Sequence, residues 1–208
     1  MIECLTLKLF IVMSASCPNL QKSIGWCQGA PEYPGIRSRV YYQSKGNIVK
    51  YPTLQRDSLK RATTATLTGS FELAADEVWH YIDINVEKSK LTSEAQGEAP
   101  SQTQLNKLEI VHNGVGDDAS AAAAYLNNND NVFVVQDMAG RFRVVGNERW
   151  QSKTTVGQDS GQGTSPASTT INVEATDEVA APFYTGTLET EDGTLDCSTG
   201  EIDDDDAG

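Results

Sequence analysis

The string Gly157-Gln158-Asp159-Ser160-Gly161 is where this sequence comes nearest to a nucleophile loop, because an Asp-Ser-Gly turn can set backbone N–H groups beside a serine as an oxyanion hole. A serine also needs a base. The chain has two histidines, His80 and His112, and each falls inside a strand pattern rather than a recognisable base motif. Since the flanks of Ser160 are Gly, Ser, Thr and Gln, the segment reads as a flexible loop, and no enzyme activity is expected. No phosphate cradle of the form G-x-x-x-x-G-K-[ST], no H-E-x-x-H and no G-x-S-x-G occurs. Cys4, Cys17, Cys27 and Cys197 are spaced by 13, 10 and 170 residues, which matches no zinc signature. The even number permits two disulfides, but free thiols in a reducing compartment are the simpler reading. Asp117-Asp118 suits the first turn of a helix. Asp203 to Asp206 lacks the glycine turns and carbonyl ligands of a calcium cage and reads as a solvated run. No catalytic, metal or cofactor-binding residue is assigned, and no cofactor is expected.

Charge says more than motif. Of the 208 residues, 29 are acidic and 16 basic, for a net charge of -13. Up to Lys153 the chain carries 16 Lys/Arg and 16 Asp/Glu; from Thr154 onward there are 13 acids and no Lys or Arg. A neutral body is followed by an acidic end. Nucleic-acid wrapping is excluded, because phosphate affinity needs clustered Lys/Arg. No run of roughly 20 apolar residues exists to span a bilayer as a helix.

The elements that would position any site are mostly strands. Leu5, Leu7, Leu9 and Ile11 recur at period two with Thr6 and Lys8 between them, as in a half-buried strand. Pro18 to Pro34 is turn-rich; Ile36 to Gln43 and Ile48 to Tyr51, around Gly46-Asn47, carry hairpin signals. Leu59 to Leu73 is Thr-rich and β-prone. Val78 to Lys90 alternates most clearly, placing Tyr81, Asp83, Asn85 and Glu87 on one wet face. Thr92 to Thr103 is too polar to pack and reads as the tip of a long hairpin, or an extended loop projecting from the body, ahead of a strand over Leu105 to His112. Asp117 to Asn127 predicts the single helix, with a run of four consecutive alanines driving it. Val132 to Gln136 and Arg141 to Val145 form a second hairpin around Met138-Ala139-Gly140. Gly157 to Ser168 is a loop, followed by strands over Thr169 to Glu174 and Phe183 to Leu188. The expectation is a mostly β, antiparallel sandwich or barrel with one short helix, a single domain over 1–188, and a mobile acidic tail over 189–208.

The pieces PGIRSRVYYQSKGNIVKYPTL (Pro34 to Leu54), SQTQLNKLEIVHNG (Ser101 to Gly114), NVFVVQDMAGRFRVVGNERW (Asn131 to Trp150) and APFYTG (Ala181 to Gly186) together resemble tail tube, or major tail, proteins of bacteriophages, particularly phages of Bacteroidales bacteria. The likeness covers roughly Cys17 to Leu188. It implies a virion protein, assembled in the host cytoplasm, whose hexameric rings stack into a tube for genome delivery. Its partners would then be further copies of itself and other tail proteins, with DNA passing through without specific binding. Asp83, Asn85 and Glu87 would face the lumen and repel phosphates. Glu94, Gln96, Glu98 and Gln102, on the polar hairpin, would reach a neighbouring subunit. The acidic end and the Cys17 to Cys27 loop have no place in that pattern.

A reading from another class stays open. The apolar run Leu5 to Ser16 ending before Cys17 has the shape of a lipoprotein signal, which would make the chain an exported, adhesin-like β-sandwich binding module. Against it, Glu3 is the only charge ahead of the run, Lys8 interrupts it, and Ser14 stands where such a signal has Leu, Val or Ile.

Overall fold

The computed structural model describes residues 22–25 and 27–203, and within them the chain is mostly β with a single short helix. The strand expected over Leu5 to Ile11, Cys4, Cys17, Trp26 and Asp204 to Asp206 lie outside the described residues. The first strands are β1 (Ile36–Ser44), β2 (Ile48–Lys50), β3 (Thr53–Arg56), β4 (Ala62–Thr68), β5 (Glu72–Leu73), β6 (His80–Asp83), β7 (Lys90–Gln96) and β8 (Thr103–Asn113). Helix α1 (Asp117–Asn128) follows, then β9 (Asn131–Asp137), β10 (Phe142–Val145), β11 (Ser152–Asp159), β12 (Ser168–Asp177), β13 (Phe183–Tyr184), β14 (Thr187–Thr190), β15 (Gly193–Asp196) and β16 (Glu201–Asp203).

A seven-stranded sheet runs β3-β4-β13-β10-β9-β1-β6, and its centre is apolar on both faces. On one face Tyr41, Val132, Val134, Phe142 and Val144 pack with Trp79, Phe71, Tyr184 and Leu188. On the other, Val40, Phe133, Val135 and Val145 meet Leu108, Ile110, Ile171 and Val173 of a four-stranded sheet ordered β11-β12-β8-β7, with Leu126 of α1. This double burial is why β9 reads as an unbroken apolar run, whereas β12 alternates: Ile171, Val173 and Ala175 turn inward, Asn172 and Glu174 outward. The helix contributes little bulk. Its alanines allow close approach, Asp117 and Asp118 complement its N-terminal dipole, and Asn128 and Asn129 cap its last carbonyls.

Tertiary pairing overrides several local signals. β1 and β2 do not pair as a hairpin: β1 lies between β9 and β6, and β2 pairs with β5. Between them Lys45–Asn47 makes a 3-10 turn whose Lys45 N–H donates to the Asp130 carbonyl (2.8 Å), which sends the chain out of the sheet. The Thr-rich stretch breaks into β4 and β5 around Gly69, at φ +91. The strand expected over Val78 to Lys90 stops at Asp83, because Asn85 Oδ1 accepts from the Glu87 N–H (3.1 Å) and bends the chain toward the second sheet. The first part of the polar stretch after it, Thr92 to Gln96, belongs to strand β7, since an edge strand needs one core contact and Leu91 supplies it. Residues 157–159, expected in a loop, extend β11. The acidic end is a further correction. Thr187 to Asp203 forms a three-stranded sheet, β14-β15-β16, rather than a mobile tail, because Leu188, Leu195 and Cys197 supply the buried anchors that a count of acids hides.

Candidate functional site

Sheet edges are where this chain offers unpaired backbone, and three of them are managed differently. On β11, the Ser152 N–H is bound by Asp130 Oδ1 (2.8 Å) and the Val156 N–H by Asn127 Oδ1 (2.8 Å), so loop and helix cap that edge. On β6, the Asp83 carbonyl accepts from His112 Nδ1 (2.7 Å), and the neighbouring Trp79 N–H donates to the Glu189 carbonyl (2.7 Å). The third edge is β7, which ends its sheet with no strand beyond it among the described residues.

Which β7 groups face outward follows from one contact. The Val111 N–H donates to Ser89 Oγ (3.0 Å) and its carbonyl accepts from the Asn85 N–H (2.6 Å), so odd-numbered residues of β8 direct their backbone toward β7. In the register Lys90↔Glu109, Thr92↔Lys107, Glu94↔Leu105 and Gln96↔Thr103, those pairs carry the ladder bonds. Leu91, Ser93 and Ala95 therefore point their N–H and C=O away from the sheet.

The outward face of this sheet is polar and balanced in charge. Register places Lys90, Lys107 and Lys153 on it with Glu94, Glu109 and Glu174, and Asp159 at the far end. Lys107 pairs with Glu94 (2.5 Å) and Lys90 with Glu109 (2.9 Å). The Glu94 hydrogen bond holds the Lys107 ammonium above its ordinary value. On this face Lys90 and Lys107 are already engaged by carboxylates.

The residues singled out from sequence divide accordingly. Glu94 and Gln96 lie on the outward face of β7, with Gln96 Oε1 accepting from Thr176 Oγ1 (3.2 Å). Glu98 and Gln102 sit in the exposed hairpin tip, which closes through Ser101 N–H to the Glu98 carbonyl (3.0 Å) and Gln102 Nε2 to the Gly97 carbonyl (3.3 Å). Asp83, Asn85 and Glu87 do not share the face of one strand. Asp83 pairs with Arg39 (3.3 Å) at the end of β6, Asn85 donates to Asn113 Oδ1 (3.3 Å), and Glu87 is exposed in the turn. Around Ser160, the Gly161 N–H donates to Asp159 Oδ1 (2.9 Å), a local Asx turn, and each imidazole has its Nδ1 engaged elsewhere.

Sequence spacing gave no sign that the two histidines share a cleft. They line a cavity of about 410 Å³ between the sheets, floored by Ile82, Leu126 and Ile171. His80 Nδ1 meets Glu191 Oε1 (2.8 Å), and its ring lies 5.8 Å from Tyr42, whose phenol burial pushes up. Both imidazoles thus fasten edges: His80 ties β6 to the β14–β15 turn, and His112 ties β8 to the end of β6. Among the described residues no group of three or more His, Cys, Asp or Glu is placed to hold a metal ion. Comparison of the chain with protein-family models, curated proteins and solved structures gives no match.

Proposed function

We propose that this chain is a structural subunit that assembles with copies of itself into rings, stacked as the tail tube of a bacteriophage. The observation that carries the reading is the β7 edge: the chain caps β11 and β6 with side chains and backbone, and leaves Leu91, Ser93 and Ala95 open. An open edge of seven residues is a template for another strand, and its Lys, Ser, Glu and Gln keep it from pairing indiscriminately. Meeting a different edge of the next copy, it propagates head to tail and closes as a ring; meeting itself, it stops at a dimer.

In this reading the seven- and four-stranded sheets form a β-sandwich, and the channel wall is the outward face of the four-stranded sheet, in place of Asp83, Asn85 and Glu87. Its lysines are matched by glutamates, so it offers DNA few free cations to grip and little field to resist passage. The partners are further copies of the chain and other tail proteins, and the location is the virion tail. The test is sedimentation and negative-stain microscopy of the purified protein over a concentration series. Rings or tubes support the reading; monomers throughout, or dimers alone, overturn it.

A further inference from the structure

Cations gather at one place on this acidic molecule. A groove of about 690 Å³ lies between the β7–β8 hairpin tip, which contributes Pro100 and Gln102, and the rim of β3 and β4. Four of its lining residues are Arg56, Lys60, Arg61 and Arg149, against one carboxylate, Glu178. That carboxylate is shared by two guanidiniums, Arg56 at 2.7 Å and Arg149 at 2.6 Å, which leaves a positive surplus. Arg61 pairs with Asp57 at 2.8 Å, and Lys60, at φ +62, lends its carbonyl to Arg56 Nη1 (2.8 Å). Lys22 adds a further cation beside the rim by donating to the Thr63 carbonyl (2.9 Å).

We propose that this groove docks the acidic segment Glu201 to Asp206 of a second copy of the chain. The occupant follows from charge and from reach. Glu201, Asp203, Asp204, Asp205 and Asp206 put five carboxylates into six residues, in a region without Lys or Arg. The segment cannot fill its own groove. The Asp203 carbonyl lies against Gly193, and the adjacent Asp192 pairs with Arg39 of β1 at 2.7 Å. In the seven-stranded sheet β1 stands five strands from β3, which is about 24 Å at roughly 4.8 Å per strand. Three further residues, Asp204 to Asp206, extend the chain by about 10 Å at most. The contact is therefore head to tail between copies, with guanidiniums and an ammonium receiving carboxylates. It adds to the ring reading without requiring it, since the β7 edge and this groove are separate surfaces.

The test uses the full-length chain carrying Asp204→Asn, Asp205→Asn and Asp206→Asn, so that the groove is free, and a fluorescent peptide of the sequence Glu201 to Gly208 as probe. Anisotropy should report binding in about 50 mM salt that weakens at least about tenfold by 300 mM, where screening is stronger. Adding Lys60→Glu and Arg149→Glu should weaken binding about tenfold or more in a chain that still unfolds in one cooperative transition. A peptide with Asp204→Lys, Asp205→Lys and Asp206→Lys should then prefer the reversed groove. Equal binding to both grooves, or no binding at low salt, overturns the proposal. Rings that persist in the neutralised chain while the peptide fails to bind refute the docking alone; bound peptide without rings refutes the tube alone.

Discussion

Ala95→Pro separates the two sides of β7. The Ala95 N–H points away from β8 and makes no ladder bond, and the residue before it, Glu94, is already extended as a residue preceding proline must be. The change should therefore alter the monomer by no more than about 0.5 kcal/mol, a shift in melting temperature of under about 2 °C for a chain this long. At an interface the cost is larger. Leu91, Ser93 and Ala95 offer about six backbone hydrogen bonds to an incoming strand, each worth about 1 kcal/mol net. Proline deletes one and its ring crowds the partner, so we expect a loss of about 1.5 to 3 kcal/mol per contact, or about 10- to 100-fold in the concentration at which assembly sets in. Glu94→Pro is the contrasting variant: its N–H bonds β8 and its carboxylate pairs with Lys107, so the monomer itself should lose about 2 to 3 kcal/mol and roughly 5 to 10 °C. Sedimentation velocity read beside thermal melts decides. Assembly of Ala95→Pro at the wild-type concentration would refute the claim that the open edge of β7 is the contact.

Other expectations concern the fold. Trp79 is 1 % exposed and 5.1 Å from the Phe71 ring, so Trp79→Ala should cost about 3 to 5 kcal/mol in urea unfolding, where a loss under about 1 kcal/mol would mean that the core around Phe71 and Tyr184 tolerates the void. Arg56 holds the Glu178 carboxyl below its ordinary value of 4.5. Glu178 therefore contributes stability that is fully present above about pH 4.5 and is lost as pH falls through its lowered folded value. Glu178→Gln should thus be less stable than wild type at pH 7 and converge with it in acid, as urea midpoints against pH would report. Burial pushes the Cys197 thiol up while Cys27 is exposed. Iodoacetamide followed by peptide mass spectrometry should modify Cys27 in the native protein and Cys197 only after denaturation. Asn127→Ala uncaps the Val156 N–H and should cost about 1 kcal/mol without affecting assembly through β7.

Elements whose cause is local were legible in the sequence. The helix has its alanines and its acidic first turn within twelve residues, and the β9–β10 hairpin has its glycine turn between two apolar runs. The hairpin carrying Glu94, Gln96, Glu98 and Gln102 was equally plain, although its first strand passed for part of the tip because an edge strand displays almost no apolar period. Asp83, Asn85 and Glu87 misled for the converse reason: alternation continues through a turn that Asn85 makes with its own side chain, and no periodicity records a side-chain cap.

Composition and order by themselves determined that this chain is a β protein with one helix, charge-neutral to Lys153 and acidic beyond it. They could do so because propensity, alternation and charge are properties of neighbouring residues. Tertiary structure decided which edges stay open, that His80 and His112 fasten strands across one cleft, that the acidic end pairs into a sheet on Leu195 and Cys197, and that four scattered cations line a single groove. The two histidine ties and the Arg56–Glu178 pair of the groove join residues 111, 29 and 122 positions apart. Such pairings depend on the register of strands and the packing of two sheets, which no local pattern encodes.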